Sequence, residues 1–174
     1  MSKMPLPSTE SQLVEVVDDM KHDKWGFVIY RCTYQDDQAW ERFETKVYEH
    51  TQEWVQDPDT DTPEVANSLE WTFVENRAAL KGASIAQLRE RFNRRAALAV
   101  VDEQPRGRAQ TQAKHPDVRT FGIPRYEHFI QIDEEALQSK PAQPETGFWP
   151  RGIVNFVDAR WRPLGVDSAN EEDW

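Results

Sequence analysis

The ten residues from Trp25 to Tyr34 constrain the fold more than any other part of the chain. They are rich in β-branched and aromatic side chains, which is typical of a β-strand. Because successive side chains of a strand point to opposite faces, apolar residues fall on both faces: Phe27 and Ile29 on one, and Val28, Tyr30 and Cys32 on the other. A strand that is apolar on both faces belongs in the middle of a sheet.

Three helices are predicted around this strand. Asp36 or Asp37 caps a helix that runs to about residue 55, in which aromatic and aliphatic side chains recur at helical spacing. Ser84 and Gln87 form a capping-box signature that opens a helix to about residue 99. A shorter amphipathic helix is predicted over residues 8–20, with one apolar face formed by Leu13, Val16, Val17 and Met20.

Three more strands complete the predicted sheet. They cover residues 69–75, 126–132 and 152–161, with a short helical turn at 133–137 and a long loop at 102–120. These elements predict an α+β fold, a two-layer sandwich in which four or five strands are covered by two main helices. The order is close to a ferredoxin-like variant, and a short strand hidden in residues 97–101 would complete it.

Length and composition predict one domain in a reducing compartment. We expect an N-terminal arm over 1–24, a single domain over 25–164 and an acidic tail over 165–174. There is no apolar run of 18 residues and no secretory signal at the N-terminus, and Cys32 is the single cysteine. These features predict a cytoplasmic protein with no membrane contact.

Charge is distributed unevenly along the chain, whose net charge is −10. Residues 81–125 hold 10 basic and 4 acidic side chains, a net charge of +6, between two acidic flanks. This basic region either pairs with the flanks or forms a docking face for an anionic ligand or a protein partner, with Arg91, Arg94 and Arg95 as the partner-binding residues. Nucleic-acid binding is not favoured, because the overall field is negative and aromatic residues are not interleaved with the arginines.

Several blocks of sequence resemble a large family of uncharacterised fungal proteins. They are Trp25-Gly26-Phe27-Val28-Ile29-Tyr30-Arg31 with the helix after it, Pro124-Arg125-Tyr126, Asp133-Glu134-Glu135-Ala136-Leu137 and Val154-Asn155-Phe156-Val157-Asp158-Ala159-Arg160-Trp161. The resemblance implies an intracellular fungal protein with an α+β fold. It implies no activity and supplies no catalytic residues.

Metal and cofactor motifs are weak in this chain, and we predict neither a metal nor a cofactor. Asp57, Asp59 and Asp61 imitate the start of a calcium loop, but Thr62 and Ser68 stand where glycine and glutamate are needed. The histidines show no zinc spacing. Cys32 lies in the middle of a strand, which favours a core residue over a nucleophile.

Polar side chains inside the predicted strands provide the candidate site. His128, Tyr126 and Asp158 are the candidate catalytic residues, with Tyr126 and His128 on one sheet face, and Arg31 and Asn155 are the candidate ligand-binding residues. A pocket formed by them would take a small polar or anionic ligand. In the other interpretation these side chains form structural ion pairs and hydrogen bonds.

Two functions remain open from the sequence. The first is a non-catalytic interaction or ligand-binding module, because no specific catalytic motif is present. The second is a small-molecule enzyme of the dimeric α+β-barrel type, an isomerase or cyclase in which Tyr126 and His128 perform acid–base chemistry and Arg31 holds an anion. A homodimer is predicted in either case, because seven tryptophans are many for this length and an exposed aromatic face often marks an interface.

Overall fold

A four-stranded mixed sheet lies at the centre of the computed structural model, which describes residues 24–55, 68–103, 123–139 and 153–162. The strands are β1 (Val28–Arg31), β2 (Thr72–Val74), β3 (His128–Ile132) and β4 (Asn155–Asp158), in the order β2-β1-β3-β4. Strand β1 is parallel to both β2 and β3, and β3 is antiparallel to β4. The prediction that this strand lies inside the sheet is therefore confirmed.

Five helices accompany the sheet in the described part of the chain. They are α1 (Asp37–Val55), α2 (Arg77–Leu80), α3 (Ile85–Asp102), α4 (Pro124–Glu127) and α5 (Glu134–Gln138). The predicted capping box is present at the start of α3, where Ser84 accepts from the backbone of Gln87 and Gln87 accepts from the backbone of Ser84. None of these helices has the length and apolar character needed to cross a membrane.

Helices α1 and α3 pack on opposite faces of the sheet. Val28 and Tyr30 of β1 share a core cluster with Phe92 of α3, whereas Ile29 shares the other cluster with Trp40 of α1. The chain passes from β1 through α1 to β2, on one side of β1. It then passes through α3 to β3, on the other side of β1. Because parallel crossovers are right-handed, this reversal of direction requires the two helices to lie on opposite faces. The α+β class is confirmed. The two-layer arrangement is not confirmed, because α1 and α3 cover different faces of the sheet.

Other local predictions differ from the structure for identifiable reasons. Residues 97–101 lie inside α3, so they form no additional strand and the ferredoxin-like order is not completed. Pro124 occupies the first turn of α4, so residues 126 and 127 belong to a helical turn and β3 begins only at His128. The predicted helix at 8–20 and the tail at 165–174 lie outside the described residues.

Strands β1 and β2 approach each other closely at Gly26. This glycine has φ +127°, and a Cβ atom there would lie 2.3 Å from the carbonyl oxygen of Glu70. Glycine is therefore required by both the backbone conformation and the space. The close approach lets the backbones of Trp25 and Glu70 bond, with Glu70 N donating to Trp25 O at 2.8 Å.

Candidate functional site

The outer side of α3 forms a groove of about 500 Å³, and three of the six described residues that line it are arginines. Leu88, Phe92 and Ala96 follow helical spacing and pack into the core, which leaves the intervening positions facing outward. The lining residues are Arg91, Arg94, Arg95, Leu98, Ala99 and Glu103. The same periodicity that buries one stripe of α3 thus exposes Arg91 and Arg94 and leaves Arg95 half-buried beside them. The three arginines predicted as a partner surface therefore line one groove.

The arginines of this groove are only partly neutralised by neighbouring carboxylates. Arg94 forms an exposed ion pair with Glu90 at 2.6 Å, one turn earlier in the helix. Arg95 lies 3.9 Å from Glu103, and its Nη1 atom is buried with no hydrogen bond from the part of the chain that the structure describes. Arg91 has no ion pair with any described residue. Positive charge therefore remains available at the groove surface.

The end of the groove is anchored by Arg125, whose side chain is only 1% exposed. Arginine has five N–H donors, and here all five are engaged. Nε and Nη2 donate to the two carboxylate oxygens of Glu103 at 2.7 and 2.8 Å. The remaining bonds join Nη2 to Glu70 Oε1 at 2.7 Å, and Nη1 to Glu70 O and Thr72 Oγ1 at 3.2 and 3.1 Å. This side chain ties the end of α3 to the segment before β2.

The charge state of Glu103 follows from these contacts. Burial raises the pKa of this carboxyl, but hydrogen bonds from Arg125 and Tyr126 and the nearby positive charges outweigh burial, so the pKa is lowered overall. The Tyr126 hydroxyl donates to Glu103 Oε2 at 2.8 Å, and burial followed by this bond raises the pKa of Tyr126. Glu103 is thus a carboxylate that Arg125 already engages, so it neutralises Arg95 only weakly.

Tyr126 and His128 lie on different sides of the sheet, which differs from the prediction. Tyr126 belongs to the core cluster under α3, whereas the His128 ring stacks on Phe156 at 5.0 Å on the side that α1 covers. The reason is α4, whose helical turn ends the two-residue alternation before β3 begins. Asp158 is the cross-strand neighbour of His128, and its carboxylate accepts the Arg160 backbone N–H at 2.7 Å.

Arg31 and Asn155 lie near the opposite end of the sheet, where their polar groups bond to other side chains. Arg31 donates to Asp37 and, at 2.9 Å, to Glu75, and its guanidinium lies 4.6 Å from the centre of the Tyr34 ring. Asn155 donates to Asp133 Oδ2 at 2.8 Å. These contacts match the structural interpretation of both residues.

The carboxyl ends of β1 and β3 form the point at which the chain reverses its direction across the sheet. Ligands often bind in such crevices. Here the Thr33 hydroxyl donates to Glu134, and Gln131 Nε2 donates to the Ala83 carbonyl at 3.1 Å. The Thr33 hydroxyl and the Gln131 amide nitrogen are thus both engaged within the protein, and these bonds match a structural role.

Cys32 and the acidic residues form no reactive centre in the described part of the chain. Cys32 is 4% exposed, and burial raises the pKa of its thiol to about 11, which confirms it as a core residue. The described residues contain no group of three or more histidine, cysteine or acidic side chains arranged for a metal ion. Asp57, Asp59 and Asp61 lie outside the described residues.

Comparison with known proteins found no matching family model, curated protein or solved structure. The resemblance to fungal proteins therefore stays a prediction. Sequence reasoning missed two features of the groove, the exposed Leu98 and the anchoring pair of Glu103 and Arg125. Leu98 had a visible signal, because it is an aliphatic residue outside the buried stripe of α3. The pair had none, since its members are 22 residues apart in the sequence.

Proposed function

We propose that the protein is a non-catalytic binding module whose α3 groove binds an acidic segment of a partner protein. The observation that carries this proposal is the arrangement of Arg91, Arg94 and Arg95 around Leu98, a residue that is 66% exposed. Arginines on a helix surface pair with carboxylates through directed hydrogen bonds. An exposed leucine in their midst adds an apolar contact that a simple ion-binding site would not need.

The chemistry of the groove favours a peptide over a nucleic acid. None of its described lining residues is aromatic, so it offers no surface on which bases could stack. The net charge of −10 also opposes the approach of a polyphosphate at long range. A short acidic segment with one aliphatic side chain matches both the arginines and Leu98.

The alternative enzyme requires Tyr126, His128 and Arg31 to line one cavity. Tyr126 bonds to Glu103 on the α3 side, His128 stacks on Phe156 on the α1 side, and Arg31 bonds to Asp37. These positions do not support a shared acid–base site, so we favour the binding module. The cytosol remains the proposed location, because a single thiol that is buried suits a reducing compartment.

The test measures binding of a labelled peptide, composed of glutamates around one leucine, by fluorescence anisotropy. Arg91→Glu combined with Arg94→Glu is expected to weaken binding by about 10-fold or more, because two attractive contacts become repulsive. Arg95 is left unchanged, since it is half-buried. Arg42→Glu with Lys46→Glu, on the exposed side of α1, is the control with the same change in net charge.

Three results would contradict the proposal. The first is no saturable binding of the peptide by the unaltered protein. The second is an equal loss of binding in the α1 control, which would reduce the effect to overall charge. The third is tighter binding of a single-stranded RNA oligonucleotide than of the peptide, which would assign the groove to nucleic acid. Replacing the peptide leucine by serine is expected to weaken binding, because Leu98 then loses its contact.

A further inference from the structure

A second concave surface lies on the other face of the molecule, at the amino ends of β1 and β2. It encloses about 380 Å³ beside the C-terminal half of α1. Five of its lining residues are apolar, namely Trp25, Phe27, Val47, Leu69 and Trp71. An apolar concavity of this size matches the space that proteins use to bind apolar groups. We call this concavity the aromatic pocket.

The walls of the aromatic pocket are held in place by contacts among its own residues. The Phe27 and Trp71 rings stack with their centres 5.5 Å apart, and Phe156 meets the edge of Phe27 at 5.8 Å. The Trp71 indole N–H donates to Thr51 Oγ1 at 2.8 Å. A fixed aromatic wall loses little conformational entropy when another group packs on it.

The polar atoms at the rim already have partners. The Thr51 hydroxyl donates to the Val47 carbonyl at 2.7 Å and accepts from Trp71, and His50 Nδ1 lies 3.1 Å from Glu53 Oε2. No charged side chain is directed into the pocket from the seven residues that line it. What binds here must therefore present an apolar surface, since it would gain little from hydrogen bonds.

The chain itself brings such a surface to the pocket. Trp25 lines the pocket and pairs with Leu69, and the preceding residue Lys24 forms an ion pair with Glu70. The predicted amphipathic helix of residues 8–20 ends just before this point. Three residues separate Met20 from Lys24, so four Cα–Cα steps limit the distance between their Cα atoms to about 14 Å.

Composition distinguishes this segment from the other one that adjoins the pocket. Residues 56–67 connect α1 to Ser68. Apart from two prolines and one alanine, their only apolar residue is Val65. Residues 8–20 instead carry four large apolar side chains at helical spacing, Leu13, Val16, Val17 and Met20. An isolated helix of this length is marginal in water, so it needs a surface on which to bury that face.

We propose that the aromatic pocket is a docking site for the apolar face of residues 8–20 of the same chain. The docked segment covers Trp25, Phe27 and Trp71 and keeps this face from associating with other molecules. The proposal is independent of the α3 groove, which lies on the opposite face of the sheet. An apolar occupant also suits a rim at which the Thr51 hydroxyl and the Trp71 indole N–H already bond within the protein.

The test compares binding of the apolar dye ANS by full-length variants. Val16→Asp with Val17→Asp places two charges on the docking face and is expected to raise ANS fluorescence about twofold or more, since the pocket opens to solvent. Ser8→Asp with Ser11→Asp adds the same charge on the opposite side of the predicted helix and is expected to leave the fluorescence unchanged. Adding Val47→Asp to the first variant is expected to reverse its rise, which ties the dye to this pocket.

A photo-crosslinking residue at position 17 gives an independent readout. Crosslinks within one chain to the residues that line the aromatic pocket are expected, mapped by mass spectrometry. Crosslinks between two chains, together with a dimer in light scattering, would overturn the proposal in favour of a second copy as the occupant. Strong ANS binding by the unaltered protein, with no change in the variants, would overturn it in favour of an unoccupied pocket for a small apolar ligand.

Discussion

Arg125→Met tests whether one buried guanidinium holds the end of α3 to the sheet. Methionine keeps much of the apolar stem of arginine but removes all five N–H donors. The bidentate contact to Glu103 and the bonds to Glu70 and Thr72 are lost together. The Glu103 side chain, which is 18% exposed, then keeps its charge with only Tyr126 and the more distant Arg95 as partners.

The expected loss of unfolding free energy follows from the burial of the two partners. Removing one member of a buried ion pair costs about 3–5 kcal/mol, because the other charge stays behind without water. Here Tyr126 still donates to Glu103, and Glu70 is partly exposed and also paired with Lys24. We therefore expect about 3 kcal/mol, which for a chain of this length lowers Tm by about 6–12 °C.

The assay is urea unfolding followed by tryptophan fluorescence, with Lys24→Met as the control. That variant removes an exposed ion pair to the same Glu70 and is expected to cost about 0.5 kcal/mol. Adding Glu103→Gln to Arg125→Met is expected to restore part of the loss, since no uncompensated carboxylate remains. The reasoning is refuted if Arg125→Met and Lys24→Met are destabilised equally, because the arginine would then be acting as a hydrated surface charge.

Three further predictions concern acid, thiol chemistry and backbone space. The folded-state pKa of Glu103 is lowered, so its stabilisation is present above the ordinary glutamate pKa of about 4.3 and is lost as pH falls through the lower folded value. Glu103→Gln should therefore flatten the acid-side fall of unfolding free energy, measured by urea titrations at successive pH values. Iodoacetamide should label Cys32 only as urea unfolds the protein, since its thiol is buried and its pKa is raised to about 11; rapid labelling of the native protein would contradict this. Gly26→Ala should cost about 2 kcal/mol or more of unfolding free energy, because its φ is +127° and the new Cβ would meet Glu70 O. Gly82→Ala, at φ +67° with open space around it, should cost about 1 kcal/mol. Equal losses of the two variants in thermal unfolding would contradict the steric argument.

Sequence reasoning succeeded where the signal lies within a few residues. The interior position of β1 follows from an apolar pattern on both faces, and the start of α3 follows from the Ser84–Gln87 capping box. Helical spacing also brings Arg91 and Arg94 to the outside of α3, next to the half-buried Arg95. The helical turn at 124–127 was missed, although Pro124 at its first position is a recognised start signal.

The candidate site as a whole required the tertiary structure. Tyr126 and His128 are two residues apart in the sequence, yet a single turn of helix sends them to different sides of the sheet. Arg125 meets Glu70 across 55 residues because β1 is flanked by β2 and β3, which fixes where the segment before β2 and the end of α3 lie.

The sequence by itself determined where the strands and the two long helices of the described residues lie and which side of α3 is apolar, because periodicity and capping act over one or two turns. Only the tertiary structure decided which strand is whose neighbour, which face each helix covers and which charges meet. Those outcomes depend on the handedness of the crossovers and on contacts between residues far apart in the chain. No local pattern in the sequence carries that information.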